Sequence, residues 1–194
     1  MDIRREDILV PHSVEFHMLR HFMIRDEEAM VDQMAGRGYA AEAVREEMRS
    51  PGSRFLPEFA HTLDMLLDRL FEYPWKAGTG MNGNLQLEAD VPEALFPHGI
   101  GTLSVVPLAG LTSEEKGMIE IRPNRGVDLM HLRVMTLPVC WKFSVVLRPA
   151  GGGYQFVTGF PGSPGMPLPN PNMDKSLYEA CLHYWNTHLF LMPE

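Results

Sequence analysis

The stretch that decides the fold is residues 140–162, CWKFSVVLRPAGGGYQFVTGFPG, where two runs of alternating residues flank a glycine-rich turn. In the first run, large apolar side chains occupy every second position: Trp141, Phe143, Val145 and Leu147. This period of two predicts strands over Cys140–Arg148 and Tyr154–Phe160. The turn between them is too short for a crossover helix, so the two strands are predicted to form an antiparallel hairpin.

The same period of two appears upstream of the hairpin, in segments that follow one another closely along the chain. Four further strands are predicted: Leu85–Ala89, Gly101–Pro107, Met118–Arg122 and His131–Leu137. Downstream, the Pro- and Gly-rich segment Pro161–Pro171 predicts a loop, because proline cannot pair inside a sheet. A helix that Asp174 can cap then follows. The C-terminal half is therefore predicted to be a β-meander closed by a helix.

The N-terminal half has helical periodicity instead. One helix is predicted to begin at the cap Ser13 and to continue to Met34, followed by helices over Ala40–Arg49 and about Pro57–Phe71. The glycine-rich run Lys76–Asn84 predicts an exposed loop. The predicted fold class is α+β, with N-terminal helices packed on a mainly antiparallel β-meander and a C-terminal helix closing it. The predicted domains are a helical segment, 1–53, and an α+β domain, 54–194.

Composition narrows the classes of function. The net charge is −8, whereas a protein that mainly grips a nucleic-acid backbone is normally basic. The fourteen methionines fill a core or line a contact surface. Cys140 and Cys181 show no metal-type spacing and are predicted to be buried thiols. With no signal-type apolar stretch at the start and no window of membrane-spanning length, the chain is predicted to be cytoplasmic, or delivered without a classical signal peptide.

A polar constellation on the predicted sheet is the main candidate site. His131 and Arg133 share one face of a strand, whereas Lys142, Ser144 and Arg148 share one face of the next. Thr158 lies near the end of the last strand, and His98 precedes the first strand of the meander. Metal-free RNA cleavage needs a base, an acid and cations for the developing phosphorane charge. On spacing alone, the ordinary polar face of an antiparallel sheet explains the pattern better.

A resemblance adds to this pattern. The runs Lys142–Pro149 and Tyr154–Gly162 resemble the terminal hairpin of bacterial toxin domains in the barnase–EndoU–colicin–RelE ribonuclease superfamily. Those domains often finish with a strand of the form V-T-x-[FY]-P-G, and Val157–Gly162 reads V-T-G-F-P-G. The Pro-rich loop and the ending Tyr184–His188 are also similar to that group.

The resemblance implies cleavage of RNA without a metal or cofactor. It implies that Thr158 supplies a hydroxyl, that Lys142 or Arg148 supplies a cation, and that the histidine is His98 or His131. Three further side chains on these strands would contact the substrate: Arg122, Arg133 and Ser144. An immunity protein or antitoxin would then be a partner.

Two alternatives remain open from the sequence. The first is a non-enzymatic interaction protein, phage-derived or associated with secretion, whose Met-rich helices bind a partner or form a homodimer. The acidic charge and the methionine excess favour it. The second is a metal site built on His17 and His21, which are four residues apart on a predicted helix. That site lacks the glutamate of an H-E-x-x-H motif and has no defined third ligand.

Overall fold

The computed structural model describes residues 3–50, 52–80, 83–124 and 126–193. The chain folds into two compact units. The first comprises Met1–Thr102 and Val139–Ser163, and the second comprises Leu103–Pro138 and Pro164–Glu194. The predicted boundary at residue 53 falls inside the first unit. The α+β class is confirmed, because helices and mainly antiparallel sheets both occur.

Six α-helices lie in the described ranges: α1 His12–Met18, α2 Glu27–Ala35, α3 Ala41–Arg49, α4 Leu63–Glu72, α5 Ser113–Gly117 and α6 Lys175–Trp185. The prediction of one helix from Ser13 to Met34 is wrong. A short 3-10 helix, Leu19–His21, follows α1, and Phe22 then forms a parallel β-bridge with Phe55. The chain restarts as α2 because the Asp26 side chain accepts a hydrogen bond from Ala29 N. The N-cap of α1 is Pro11 rather than Ser13.

Twelve strands are found in the same ranges: β1 Ile8–Leu9, β2 Arg54–Phe55, β3 Trp75–Thr79, β4 Leu85–Asp90, β5 Gly101–Thr102, β6 Val105–Pro107, β7 Glu120–Asn124, β8 Val127–Val134, β9 Val139–Cys140, β10 Lys142–Ala150, β11 Gly153–Pro161 and β12 His188–Pro193. They form three sheets rather than one meander. Their orders are β1-β11-β10-β4-β3, β6-β12-β8-β7 and β2-β5-β9.

The first unit is built on the five-stranded sheet. The predicted hairpin is confirmed as β10 and β11, with β10 also paired to β4. Phe143, Val145 and Leu147 are fully buried on one face of β10. That face meets α4, because a Cβ added at Gly159 would lie 2.7 Å from Leu66 Cδ2. The opposite face of β11 meets α1. The sheet is therefore covered by helices on both sides, which excludes water from its central strands.

The second unit holds the four-stranded sheet with α5 and α6. Its central strand β12 is antiparallel to β6 and parallel to β8, and β7 and β8 form a hairpin. Leu132, Leu189 and Leu191 are its buried core. Asp174 caps α6 as predicted, since its carboxylate accepts from Ser176 N and Leu177 N. The strand β12 was not predicted.

Several predicted bounds differ from the structure. The helix expected from Pro57 begins at Leu63, after the cap Thr62, whose hydroxyl accepts from Met65 N. The expected loop Lys76–Asn84 begins with an edge strand, β3, although its residues 81 and 82 lie outside the described ranges. Cys140 and Cys181 are buried, as predicted. No helix in the described part of the chain combines the length and apolarity needed to cross a membrane.

Candidate functional site

The predicted hairpin residues lie on one face of the five-stranded sheet. Thr158 pairs with Val146, and Phe160 pairs with Ser144. Lys142, Ser144 and Arg148 lie on this face because they alternate along β10 with Phe143, Val145 and Leu147, whose side chains lie on the face that meets α4. The register therefore brings Thr158 closer to Val146 than to either cation. At about 3.4 Å per residue, Arg148 lies roughly 7 Å along β10 from Val146, and Lys142 lies roughly 14 Å away in the other direction.

The two hydroxyls of this face are differently engaged. Ser144 is fully buried, and its Oγ donates to the carbonyl oxygen of Gly162 at 2.7 Å. The Ser144 hydroxyl is therefore shielded from solvent and already has a partner, and its contact with RNA stays a prediction. Thr158 is half-buried, and its Oγ1 donates to Met18 Sδ at 3.8 Å. This contact attaches α1 to β11.

The cations of the hairpin face differ in their partners. Lys142 Nζ lies 3.7 Å from a carboxylate oxygen of Glu88 and 3.7 Å from one of Asp90. Arg148 is exposed, and none of the carboxylates in the described residues lies within ion-pair distance of it. A phosphate that approached Lys142 would compete with two carboxylates, whereas Arg148 is free to meet one.

Three of the other predicted residues belong to the second unit: Arg122, His131 and Arg133. In the second unit, Glu120 Oε2 accepts from Arg122 at 2.6 Å, and Glu120 Oε1 accepts from Arg133 at 3.4 Å. The Arg122 guanidinium is the main cause that lowers the pKa of the Glu120 carboxyl. His131 pairs in register with Glu120 and stacks on Phe190, with ring centroids 5.4 Å apart. Arg122 and Arg133 therefore share one carboxylate, which offsets one of their two positive charges.

His98 belongs to the first unit but contributes nothing to the hairpin face. It is exposed in the turn between Pro97 and Gly99, before β5. Its ring makes no hydrogen bond, ion pair or ring stacking with the described residues. Among the described residues, His98 therefore shares no hydrogen bond, ion pair or ring contact with Thr158.

A different pair of histidines lies on α1 and on the 3-10 helix that follows it, next to β11. His17 belongs to α1, and His21 belongs to the 3-10 helix that follows it. Their ring centroids are 5.8 Å apart in an edge-on arrangement. His21 also lies 5.9 Å from the ring of Phe160, two residues beyond Thr158 on β11. The histidine pair and Thr158 therefore meet at the same strand.

Charged side chains surround the pair. Arg20 donates to Glu47 through two nitrogens, at 2.5 and 2.8 Å, which ties the 3-10 helix to α3. His17 Nδ1 lies 3.6 Å from Glu47 Oε1, and the His17 side chain is 43% exposed. Arg54 donates to the carbonyl oxygens of Phe22 and Ser50. The Glu27 carboxylate also acts on Arg54, so the two guanidinium groups beside the pair are matched by two carboxylates.

The environment keeps both imidazoles neutral near pH 7. Burial lowers the pKa of His21 to about 4, although a hydrogen bond to Ser53 O acts in the other direction. Burial and then Arg20 lower the pKa of His17, against the effect of Glu47. Because Ser53 O can only accept, Nδ1 of neutral His21 carries the proton, and Nε2 keeps its lone pair. Nε2 of His21 is therefore a hydrogen-bond acceptor, and half-exposed His17 can exchange protons with solvent.

The metal alternative gains no third ligand. Among the described residues, no group of three or more His, Cys, Asp and Glu side chains is arranged to hold a metal ion.

The sequence did contain a signal for the histidine pair, the i and i+4 spacing of His17 and His21. It could not show that β11 passes beneath them, because that contact joins residues far apart in sequence.

No family model, curated protein or solved structure matches the chain.

Proposed function

We propose that this protein is a toxin-like, metal-independent endoribonuclease whose acid–base pair is His17 and His21 rather than His98 or His131. The observation that carries the proposal is a pair of imidazoles 5.8 Å apart, lying against the strand that bears Thr158. The choice of RNA rests on the resemblance of the β10–β11 hairpin to toxin ribonucleases. A cognate immunity protein or antitoxin would be expected to cover this site.

In the proposed reaction, Nε2 of neutral His21 accepts the proton of a ribose 2′-hydroxyl as its oxygen attacks the neighbouring phosphorus. The bond from phosphorus to the 5′ oxygen breaks, and protonated His17 gives its proton to that oxygen. The products are a 2′,3′-cyclic phosphate and a 5′-hydroxyl. Arg148, which has no carboxylate partner among the described residues, meets the RNA phosphates, and Thr158 holds α1 on β11.

The pH dependence follows from the two lowered pKa values. The reaction needs neutral His21 and protonated His17 at the same time. His21 becomes neutral above about pH 4, and His17 loses its proton below the ordinary histidine value of 6.5. Cleavage is therefore expected to be fastest in the acidic range above about pH 4 and to weaken as the pH rises through the lowered pKa of His17, before 6.5 is reached.

The test is cleavage of total RNA by the purified full chain in chelator at pH 5.5, with detection of 2′,3′-cyclic phosphate ends. We expect His17→Gln and His21→Asn each to lower the rate by at least about 100-fold, the usual contribution of an acid–base residue. The matched controls are His98→Ala and His131→Ala, which are expected to cleave like the parent chain. Circular dichroism and thermal unfolding identify any variant that fails to fold.

Two results would overturn the proposal. One is intact RNA at micromolar protein across the range from pH 4 to pH 7.5. The other is cleavage that survives in folded His17→Gln and His21→Asn variants. Loss of cleavage only in His98→Ala or His131→Ala would return the activity to a histidine outside this pair.

A further inference from the structure

Three aromatic rings form one stack in the second unit, across α6 and two neighbouring strands. Trp185 of α6 stacks on Phe190 of β12, with ring centroids 4.6 Å apart and planes 17° apart. Phe190 stacks in turn on His131 of β8, at 5.4 Å and 22°. The register accounts for the second contact, because Phe190 and His131 are directly paired. The stack therefore runs from the helix to the middle of the four-stranded sheet.

One end of the stack is fixed, and the other is partly open. Trp185 is buried, and its Nε1 donates to the carbonyl oxygen of Pro167 at 3.0 Å. His131 is half-buried, and its Nδ1 donates to the carbonyl oxygen of Leu129 at 3.1 Å. Among the described residues, Phe190 is the only ring stacked on His131. The imidazole is therefore already held in one orientation, which reduces the cost of stacking a further ring on it.

Two arginines lie on either side of this open end. Glu120 of β7 is the register partner of His131, so their Cα atoms are roughly 5 Å apart. Arg122 lies two residues along β7 from Glu120, and Arg133 lies two residues along β8 from His131. Because the two strands are antiparallel, these steps run in opposite directions. All four side chains share one face of the sheet, with the arginines flanking the row that ends the stack.

The flanking pair keeps a net positive charge. Arg122 donates to Glu120 Oε2 through Nε at 3.1 Å and Nη2 at 2.6 Å, whereas Arg133 makes one longer contact, from Nε to Oε1 at 3.4 Å. The terminal nitrogens of Arg133 have no acceptor among the described residues, and its side chain is 57% exposed. One carboxylate therefore serves two guanidinium groups. An anion is attracted to this face although the whole chain carries −8.

A ring platform beside cations indicates a ligand that combines a planar ring with an anion. Every nucleobase can stack on an aromatic side chain. Guanidinium groups bind phosphate through parallel hydrogen bonds. A nucleotide holds its phosphate one sugar away from its base, which suits cations that lie about one strand spacing, roughly 5 Å, from the platform.

The shared carboxylate favours a free nucleotide over the interior of a strand. A phosphate monoester carries about −1.5 to −2 at pH 7, whereas each phosphate of a strand carries only one negative charge. Since Glu120 offsets one of the two positive charges and repels any anion, the more highly charged monoester gains more from the remaining cation.

We propose that the open end of this stack binds a nucleoside monophosphate, with its base on the His131 ring and its phosphate on the guanidinium groups of Arg133 and Arg122. The site lies within the second unit and shares no residue with the His17 and His21 pair. It does not rest on the proposed nuclease activity and takes no part in the proposed cleavage.

The experiment is isothermal titration calorimetry of the full chain with adenosine monophosphate at pH 7.5. Two fragments of the same ligand are the controls: adenosine has the ring without the charge, and ribose 5-phosphate has the charge without the ring. We expect the nucleotide to bind at least about tenfold more tightly than either fragment, a difference of ~1.4 kcal/mol. Because the phosphate takes up a proton near pH 6, binding is also expected to weaken below that pH.

Two substitutions of His131 connect the binding to the stack. His131→Ala removes the platform and is expected to weaken the nucleotide by at least about tenfold, the usual effect of losing one base–aromatic contact. His131→Phe keeps a ring at the same position and is expected to stay within about threefold of the parent chain. Thermal unfolding shows whether each variant is folded.

Charge variants test the phosphate contact. Arg133→Gln is expected to weaken the nucleotide by at least about fivefold, because it removes the exposed guanidinium. Glu120→Gln is expected to tighten binding by about threefold, since it removes the opposing carboxylate. The matched control is Lys116→Gln, which changes an exposed cation of α5 and is expected to have no effect. That helix lies over the opposite face of the sheet, where Glu115 and Leu132 line one cavity.

A 2′-O-methyl oligoadenylate without terminal phosphates distinguishes a free nucleotide from a strand, because it has the same bases, only phosphate diesters and no 2′-hydroxyl to cleave. We expect it to bind at least about tenfold more weakly than the nucleotide. Tighter binding of this strand that His131→Ala abolishes would overturn the proposal in favour of a strand.

The proposal is also overturned if the nucleotide and its fragments bind alike, if none of them saturates, or if folded His131→Ala and Arg133→Gln bind like the parent chain. Binding is measured here without cleavage. Intact RNA in the nuclease test would therefore leave this proposal standing, and an absence of nucleotide binding would leave the nuclease proposal standing.

Discussion

At the scale of single residues, His21 is the histidine whose environment differs most clearly from water. Burial lowers its pKa from 6.5 to about 4, while Arg20 and Arg54 add smaller effects in the same direction. In the unfolded chain the ring binds a proton below pH 6.5, but in the folded chain it does so only below about pH 4. The unfolded state therefore binds more protons between these values, so stability is highest above pH 6.5 and falls as the pH decreases.

This linkage predicts a specific loss of stability in acid. Between pH 6.5 and pH 5, His21 is expected to contribute a loss of about 2 kcal/mol to the free energy of unfolding. His21→Asn keeps a donor for Ser53 O but does not titrate, so its loss over the same range should be smaller by that amount. Urea unfolding at the two pH values measures the difference. His98→Asn, at an exposed position, is the control and should follow the parent chain.

At the scale of elements, the start of α2 shows how one side chain redirects the chain. Apolar periodicity continues from Val14 to Met34, which is why the sequence predicts one helix. The helical run already ends at His21, and Asp26 starts a new helix, because its carboxylate accepts from Ala29 N and two acidic residues follow in the first turn. A cap signal inside a periodic run therefore deserves more weight than the run itself.

The cap has a measurable contribution. Asp26→Ala removes the acceptor for Ala29 N and is expected to lower the free energy of unfolding by about 1 kcal/mol. Asp32→Ala, at an exposed position in the middle of the same helix, should change it by less than about 0.5 kcal/mol. Chemical denaturation of both variants makes the comparison. Equal effects would mean that the Asp26 carboxylate does not act as a cap.

The elements that were predicted correctly are those with strong local signals. The hairpin has alternating strands around glycines, α3 has an Ala- and Glu-rich run, and α6 has an Asp cap. The elements that were missed are short or lack such signals. Strands β1 and β2 contain two residues each, and β3 is glycine-bearing and exposed. Their pairing depends on partners far along the chain, which a local pattern does not contain.

At the scale of the whole molecule, the candidate site depends on contacts that cross long stretches of sequence. The face shared by Lys142, Ser144 and Arg148 could be predicted from alternation alone. The burial of Ser144 and the approach of His21 to Phe160 could not, because both depend on which segments cover the sheet. The same holds for the assignment of His131 and the hairpin to different units, since the chain passes from one unit to the other three times.

This chain path predicts the effect of truncation. A chain that ends at Ser163 lacks β12, the strand that joins β6 to β8. The amides of Val127–Val134 are therefore expected to lose protection from hydrogen exchange. The amides of β10 and β11 should keep theirs, because their strand partners β1 and β4 all precede residue 164. Retained protection in β8 would contradict the central position of β12.

The pairing of β1 with β11 has a consequence for synthesis. Ile8 is paired with Tyr154, so 146 residues separate the two partners, 154 minus 8. A ribosome that adds about 5–20 residues per second needs roughly 7–30 s to make the second partner after the first. During that interval the apolar pair Ile8 and Leu9 has left the exit tunnel with no strand to join. A nascent-chain chaperone that shields this short segment would meet it in every molecule made.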